Sequence, residues 1–221
     1  MIIAIDGPAA SGKSTTARLV AERLGFSYLD TGAMYRAVAW YLQLANLDPA
    51  SDADLEQLFT NFHYRLEQCD TGERHYVNDT DVTDAIRTPL ITACLGKVTP
   101  VPPIRHFLVQ QQRELAAGLN VVLDGRDIGT VVFPQAELKV FLVASLQIRA
   151  QRRAAELHSR GWEADLEEIE ESIAARDRDD SERSEGPLRR AEDAIELDSS
   201  NLTIDEQVEA ILQMVRKIHS H

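Results

Sequence analysis

Two rhythms of apolar and polar positions alternate along this chain. Continuous apolar runs at Met1-Ile2-Ile3-Ala4-Ile5, Val121-Val122-Leu123 and Leu138-Lys139-Val140-Phe141-Leu142-Val143 suit strands buried on both faces of a parallel sheet. Phe26-Ser27-Tyr28-Leu29 and Ala194-Ile195-Glu196-Leu197 read as two further short strands. Between them come stretches of helical period. The first opens at Lys13 and carries Leu19, Val20 and Leu24 on one face, with Gly25 as its stop signal. Others cover residues 33–42, 51–60, 89–98, 103–117, 146–158, 165–183 and 204–218. Asp30-Thr31 stands where a helix cap is wanted, and Pro100, Pro102 and Pro103 break the two central helices. Strand and helix alternating in this way predict an α/β fold built on a parallel sheet.

One segment departs from the alternation. His63-Tyr64-Arg65-Leu66-Glu67, Arg74-His75-Tyr76-Val77 and Thr80-Asp81-Val82-Thr83 are short strand-like runs separated by turn signals at Asp70-Thr71-Gly72 and Asn78-Asp79. They predict a small antiparallel insert, at about residues 62–84, that belongs to no βα repeat.

The first strand runs through Asp6 into Gly7-Pro8-Ala9-Ala10-Ser11-Gly12-Lys13-Ser14. Gly, four residues, then Gly-Lys-Ser is the spacing of a phosphate-binding loop. Gly7 and Gly12 allow backbone angles that turn successive N–H groups inward around an anion. Lys13 supplies a point charge for β- and γ-phosphates, and the Ser14 hydroxyl suits a place beside Mg²⁺. The alternative is an ordinary glycine-rich turn. Because the pattern follows an apolar strand and opens an amphipathic helix, whose N-terminus itself favours phosphate, we read it as a nucleoside triphosphate site.

Composition then narrows the class. The 221 residues suffice for one full core with an insertion. No apolar run approaches the ~20 residues that span a bilayer, and the chain opens directly on a core strand, so a cytoplasmic protein with no membrane partner is expected. Cys69 and Cys94 lack the spacing of a zinc or redox site and read as reduced thiols. The formal net charge of −13 argues against a protein that coats nucleic acid. An anionic substrate must therefore be met by local arginines.

Four clusters could supply them. They are Tyr35-Arg36, Arg105, the segment Asp124-Gly125-Arg126-Asp127-Ile128-Gly129-Thr130, and Arg176-Asp177-Arg178-Asp179-Asp180-Ser181-Glu182-Arg183. Ligands of open α/β sheets bind outside the C-terminal strand ends, which puts the third cluster on the same rim as the phosphate loop. Asp124, ending an apolar strand, could hold Mg²⁺ or its waters. Arg176, Asp180 and Arg183, four and three apart, share one helical face. That face is either a surface ion-pair ladder or a cationic lid over a triphosphate.

These segments carry a specific resemblance. GPAASGKS, DTGAMYR, IRHFLVQQQR, DGRDIGTVVFP and RDRDDSERSEGPLRRAEDAIELDSS occur in the order and spacing of bacterial cytidylate kinase, a nucleoside monophosphate kinase, and the match covers nearly the whole chain. The resemblance implies a P-loop NTPase three-layer fold with a parallel sheet, a small antiparallel β insert and a helical lid. It implies a core of residues 1–30 and 120–221 with the lid at about 160–186, and a monophosphate-binding region at 31–119. It also implies transfer of the ATP γ-phosphate to CMP, with dCMP accepted, using Mg²⁺ with ATP, by a monomeric enzyme.

Residue by residue, the resemblance implies an ATP loop of Gly7, Pro8, Ala9, Ala10, Ser11, Gly12, Lys13, Ser14 and Thr15, with Ser14 and Asp124 toward the metal. Thr31, Tyr35 and Arg36 match the first monophosphate-binding segment, and Arg126 a second phosphate ligand. Arg105 and Asp127 match the pair that reads cytosine; a carboxylate accepts from the N4 amino group and is repelled by the O4 of uracil. Asp180 matches a ribose contact, and Arg176 and Arg183 match lid arginines that, with Lys13 and Arg126, stabilise the transferring group. Gly96 departs from the family, which usually has a base-contacting serine there. A backbone group or water must substitute, or discrimination against UMP is looser. Two other classes compete: another small P-loop kinase, shikimate-like or adenylate-like, and a GTP-binding switch, which would need an Asn-Lys-x-Asp segment that this sequence lacks.

Overall fold

The computed structural model describes residues 1–69, 72–159, 161–163 and 165–219. Asp70 and Thr71 of the expected hairpin turn, and Arg160 and Ala164 of the expected lid, lie outside the described residues. In chain order the elements begin with β1 (Ile2–Asp6), α1 (Lys13–Leu24), β2 (Ser27–Asp30), α2 (Thr31–Ala45) and α3 (Asp52–Asn61). Then come β3 (Tyr64–Cys69), β4 (Gly72–Val77), β5 (Thr80–Asp81), a 3₁₀ turn at Ala85–Arg87, α4 (Pro89–Val98) and α5 (Pro102–Ala116). The remainder is β6 (Val121–Gly125), a π-helical turn at Ile128–Val132, β7 (Leu138–Val143), α6 (Leu146–Ser159), α7 (Leu166–Glu182), β8 (Ile195–Asp198) and α8 (Ile204–His219).

The chain divides into two compact units, Met1–Asp30 with Ala116–His221, and Thr31–Leu115. In the first unit five strands form one sheet in the order β2-β6-β1-β7-β8, every pairing parallel. Ile3 and Ile5 of β1, Val122 of β6 and Val140 and Leu142 of β7 pack with Val20 of α1 and Val208, Ile211 and Val215 of α8. Ala4 and Leu123, which point to the opposite face, are also fully buried. A sheet covered on both faces explains why its strands read as continuous apolar runs rather than as alternating ones. Parallel pairing also puts all strand C-termini on one rim, so Asp6, Asp30 and Asp124 end or nearly end their strands there.

Several local expectations shift by a few residues. The expected break falls at residues 99–101, and the prolines at 102 and 103 open α5, where a missing N–H costs nothing. β6 runs one residue past Asp124, where its apolar run was expected to end, because Gly125 still pairs with Asp6. The segment that follows closes as a π-helical turn, which no local pattern had indicated. Helix α7 ends at Glu182, and Arg183 is extended at φ −61° and ψ 146°, so Arg183 does not continue the helical face of Arg176 and Asp180.

The second unit contains the antiparallel insert, β3-β4-β5, with Tyr64 opposite Val77 and Tyr76 opposite Asp81. The last expected strand is shorter than its pattern, because Asp81 turns the chain by accepting from both the Thr83 N–H and hydroxyl. Ser51 caps α3 and Thr88 caps α4. An aromatic group of Phe59, Phe62, Phe107 and Tyr41 joins α2, α3 and α5, with ring centroids 4.9–6.1 Å apart. No helix among the described residues is long and apolar enough to cross a membrane.

Candidate active site

The loop between β1 and α1 is shaped by what a side chain would strike. A Cβ on Gly7 would lie 2.1 Å from the Leu142 carbonyl oxygen, so only glycine lets the loop leave β1 so close to β7. Gly12 at φ 95° and Ala10 at φ 57° curl the backbone between them. Lys13, buried in the first turn of α1, donates to the Pro8 carbonyl at 2.6 Å and to Ser11 Oγ at 3.3 Å. Burial, and next the positive charge of Arg126, push its ammonium well below the usual lysine range, with Arg176 adding to the effect. The loop thus holds a cation that its own environment disfavours. Ser14 and Thr15 are exposed one step further along.

Ser14 Oγ donates to Asp124 Oδ2 at 2.7 Å, and the Tyr28 hydroxyl donates to Asp124 Oδ1 at 2.7 Å. Burial drives the Asp124 carboxyl up to about 6, the negative charge of Asp30 adds to this, and Lys13 and the two hydroxyls oppose it. Among the described residues no cluster of three or more His, Cys, Asp or Glu side chains could cage a metal. One hydroxyl and one carboxylate side by side match the way Mg²⁺ is held when phosphates and waters complete its shell.

On the same rim a second set of charges meets. Arg126 donates through Nε to Asp180 Oδ2 at 2.7 Å. Arg183, despite its extended backbone, reaches Asp180 at 3.3 Å and Asp127 at 3.8 Å. Burial pushes the Asp180 carboxyl upward, but Arg126, Arg176 and Arg183 outweigh it and hold the group below its ordinary value. The first unit therefore gathers Lys13, Arg126, Asp127, Arg176, Asp180 and Arg183 into one electrostatic network.

The remaining sequence-derived residues belong to the second unit. Thr31 is buried at the start of α2. One turn on, Arg36 Nη1 donates to Thr92 Oγ1 of α4 at 2.7 Å. Arg105 is buried, donates to the Thr99 carbonyl at 3.3 Å, and lies with its guanidinium carbon 5.5 Å from the Tyr35 ring centroid. Gly96 on α4 has no atom within 4 Å of where a Cβ would stand.

Several participants were not assigned from sequence. Asp177 of α7 accepts from the Ala9 N–H at 3.0 Å, and Arg149 of α6 bridges Asp177 and the Ala9 carbonyl. Arg152 donates to the Ser11 carbonyl at 3.0 Å and to the Ser199 carbonyl at 2.6 Å, while Thr16 donates to Gln207 of α8 at 2.8 Å. These bonds tie the phosphate loop to α6 and α7, and the first turn of α1 to α8. Arg149 and Arg152 sit three apart on α6, a shared face that helical spacing could have revealed. Ser199 and Gln207 carry no such signal. Asp6, too, had no role until its carboxylate was found accepting from the Ile128 N–H at 2.9 Å and the Gly129 N–H at 2.7 Å.

Known proteins resemble the chain over nearly its full length. A family model described as cytidylate kinase matches residues 3–217. The cytidylate kinase of Halalkalibacterium halodurans is 47% identical over 217 residues, covering 98% of each chain. That of Carboxydothermus hydrogenoformans is 45% identical over 215 residues, 97% of each. Among solved structures, an uncharacterized protein from Eubacterium ventriosum covers 98% of each chain with a TM-score of 0.53 at 12% identity, a likeness of fold alone.

A pH dependence follows from Asp6. Burial, the leading cause, raises its carboxyl from 3.8 to about 6, against two backbone hydrogen bonds that lower it. Between about pH 4 and pH 6 the folded chain keeps a proton that the unfolded chain gives up, so this group's contribution to stability falls as pH rises through that window. Denaturant unfolding at a series of pH values should show a shallower decline across it in Asp6→Asn than in the parent, Asp124 supplying what remains. Identical slopes would contradict the assignment.

Proposed function

Because the chain belongs to the cytidylate kinase family, we propose that it transfers the γ-phosphoryl group of ATP to CMP, and to dCMP, giving ADP with CDP or dCDP. The observation that carries this reading is the rim network of the first unit. Lys13, Arg126, Arg176 and Arg183 concentrate positive charge beside a phosphate-binding loop in a protein whose net charge is −13. A transferring phosphoryl group spreads its charge over equatorial oxygens, so fixed cations and in-line positioning perform most of the catalysis.

Lys13 exchanges the Pro8 carbonyl for phosphate oxygens when ATP enters, and their negative charge offsets the burial that depresses its ammonium. The backbone N–H groups of residues 10–15, at the N-terminus of α1, take up the remaining triphosphate charge. Ser14 and Asp124 would hold Mg²⁺, directly or through water, and the ion when bound offsets phosphate charge. Arg36 and Arg126 hold the acceptor phosphate, with Thr31 and Tyr35 beside it, and Asp180 takes the ribose hydroxyls. Arg105 and Asp127 read cytosine. The acceptor is already an ionised oxygen, so no general base is needed. Residues 1–30 and 120–221 are then the ATP-binding core, residues 31–119 the monophosphate-binding region, and residues 160–186 the lid. Closure of that lid excludes the water that would otherwise take the γ-phosphate.

Gly96 adds a point about acceptor choice. The open space at its Cβ position accommodates a serine. A glycine there therefore reflects no steric demand, and either a backbone group or water takes the place of the hydroxyl or discrimination against UMP is looser.

Parallel assays with CMP, dCMP, UMP, AMP and shikimate should give the highest kcat/KM with the two cytidine nucleotides. Preference for AMP or shikimate would overturn the proposal in favour of another small P-loop kinase. Arg183→Ala should lower kcat by roughly 100-fold, the scale of one lost transition-state donor, with little change in KM for ATP. Parent-like kcat with weaker ATP binding would remove Arg183 from the transferring step.

A further inference from the structure

The π-helical turn at Ile128–Val132 directly follows Arg126 and Asp127, and its first N–H groups cannot be satisfied from within the turn. The residue placed to cap it is Asp127, yet the Asp127 side chain makes no capping hydrogen bond. The cap comes instead from Asp6, more than a hundred residues earlier, whose two carboxylate oxygens take the Ile128 and Gly129 N–H groups, one each. Behind them the turn closes on the Asp127 carbonyl, which accepts from Val131 at 2.8 Å and Val132 at 3.1 Å.

We propose that Asp6 is a positioning residue for the nucleotide acceptor: by capping this turn from β1 it fixes Arg126 and Asp127 and leaves the Asp127 carboxylate to Arg183 and the base. The inference rests on the reading that Arg126 and Asp127 contact CMP.

Three features support it. Asp6 is 5% exposed and lies near the like charge of Asp127, an arrangement that costs stability. A neutral capping side chain would avoid that cost. The contact also leaves no slack: a Cβ on Gly129 would sit 3.1 and 3.2 Å from the buried stem of Lys139 and 3.4 Å from Asp6 Oδ2. Lys139 in turn is pinned by the Pro134 carbonyl at 2.7 Å and by Asp193. Finally, Asp6 immediately precedes Gly7, so one residue joins the end of the phosphate loop's strand to the turn behind the acceptor arginine.

The test compares Asp6→Asn, Gly129→Ala, their double mutant and Asp127→Ala. An asparagine can accept from one N–H but turns its own amide hydrogens toward the other. Amide hydrogen exchange should lose protection in residues 126–133 of Asp6→Asn, while kcat/KM for CMP drops roughly ten- to a hundredfold, the CMP:UMP ratio falls, and KM for ATP stays within about twofold. Gly129→Ala disturbs the same contact from the other side and carries the test if Asp6→Asn does not fold. The double mutant should be no worse than the more impaired single. Retained protection at 126–133, or equal losses toward ATP and CMP, would overturn the inference. A change in acceptor kinetics in Asp127→Ala but not in the Asp6 and Gly129 variants would overturn it alone. No change in any variant would overturn both it and the acceptor reading, and a change without one in Asp127→Ala would place the effect elsewhere.

Discussion

A lysine ammonium held inside a loop built for someone else's oxygens is the constraint on which the structure turns. Lys13 is 5% exposed and bonded to the Pro8 carbonyl of its own loop. Arg126 and Arg176 raise the electrostatic cost of its charge, while Asp124 and Asp180 reduce it. Such an arrangement is poor for folding and good for receiving a polyanion, since an incoming triphosphate replaces one carbonyl dipole with several full charges. The formal net charge of −13 makes the contrast sharper.

Holding that charge requires a rigid loop. Asp177 and Arg149 clasp Ala9, Arg152 reaches Ser11, and Gln207 from the last helix takes Thr16. The network also explains why α7 stands close to the phosphate loop in this structure: Asp177, next to Arg176, anchors the helix to the loop backbone. Ile169 and Ile173 of α7 bury against Ala150 of α6 and Ala9. The apolar contacts and the carboxylate thus fix the same helix on the same loop. Two buried carboxylates, each raised by its own burial, set the geometry of their neighbours: Asp6 by capping a turn and Asp124 by accepting from Ser14.

Much of this was legible beforehand, for identifiable reasons. Strand and helix types followed from period, because a doubly covered parallel sheet leaves apolar runs, and the left-handed C-cap of α1 leaves Gly25 at its end. The phosphate loop was legible because Gly7 and Gly12 are steric necessities written directly in sequence. Less legible were bonds made by ordinary residues at long range. Nothing local distinguishes Gln207 or Ser199 from any surface polar residue, and Asp6 looks like a strand end until the turn at Ile128 is in place. The π-helical turn at Ile128–Val132 left no local signal, since its Ile128 and Gly129 N–H groups are capped by the distant Asp6. Arg183 was assigned to a helical face by its spacing, whereas the structure brings it to Asp180 from an extended backbone.

The most direct test of this account is the Lys13 ammonium itself. Selective ¹³C labelling of lysine, with assignment by a Lys13→Arg variant, would let its titration be followed by NMR without nucleotide and with ATP bound. The account predicts a titration well below that of the other lysines in the free protein and a marked upward shift when ATP is present. An ordinary lysine titration in the free protein, or one that ATP does not move, would contradict it.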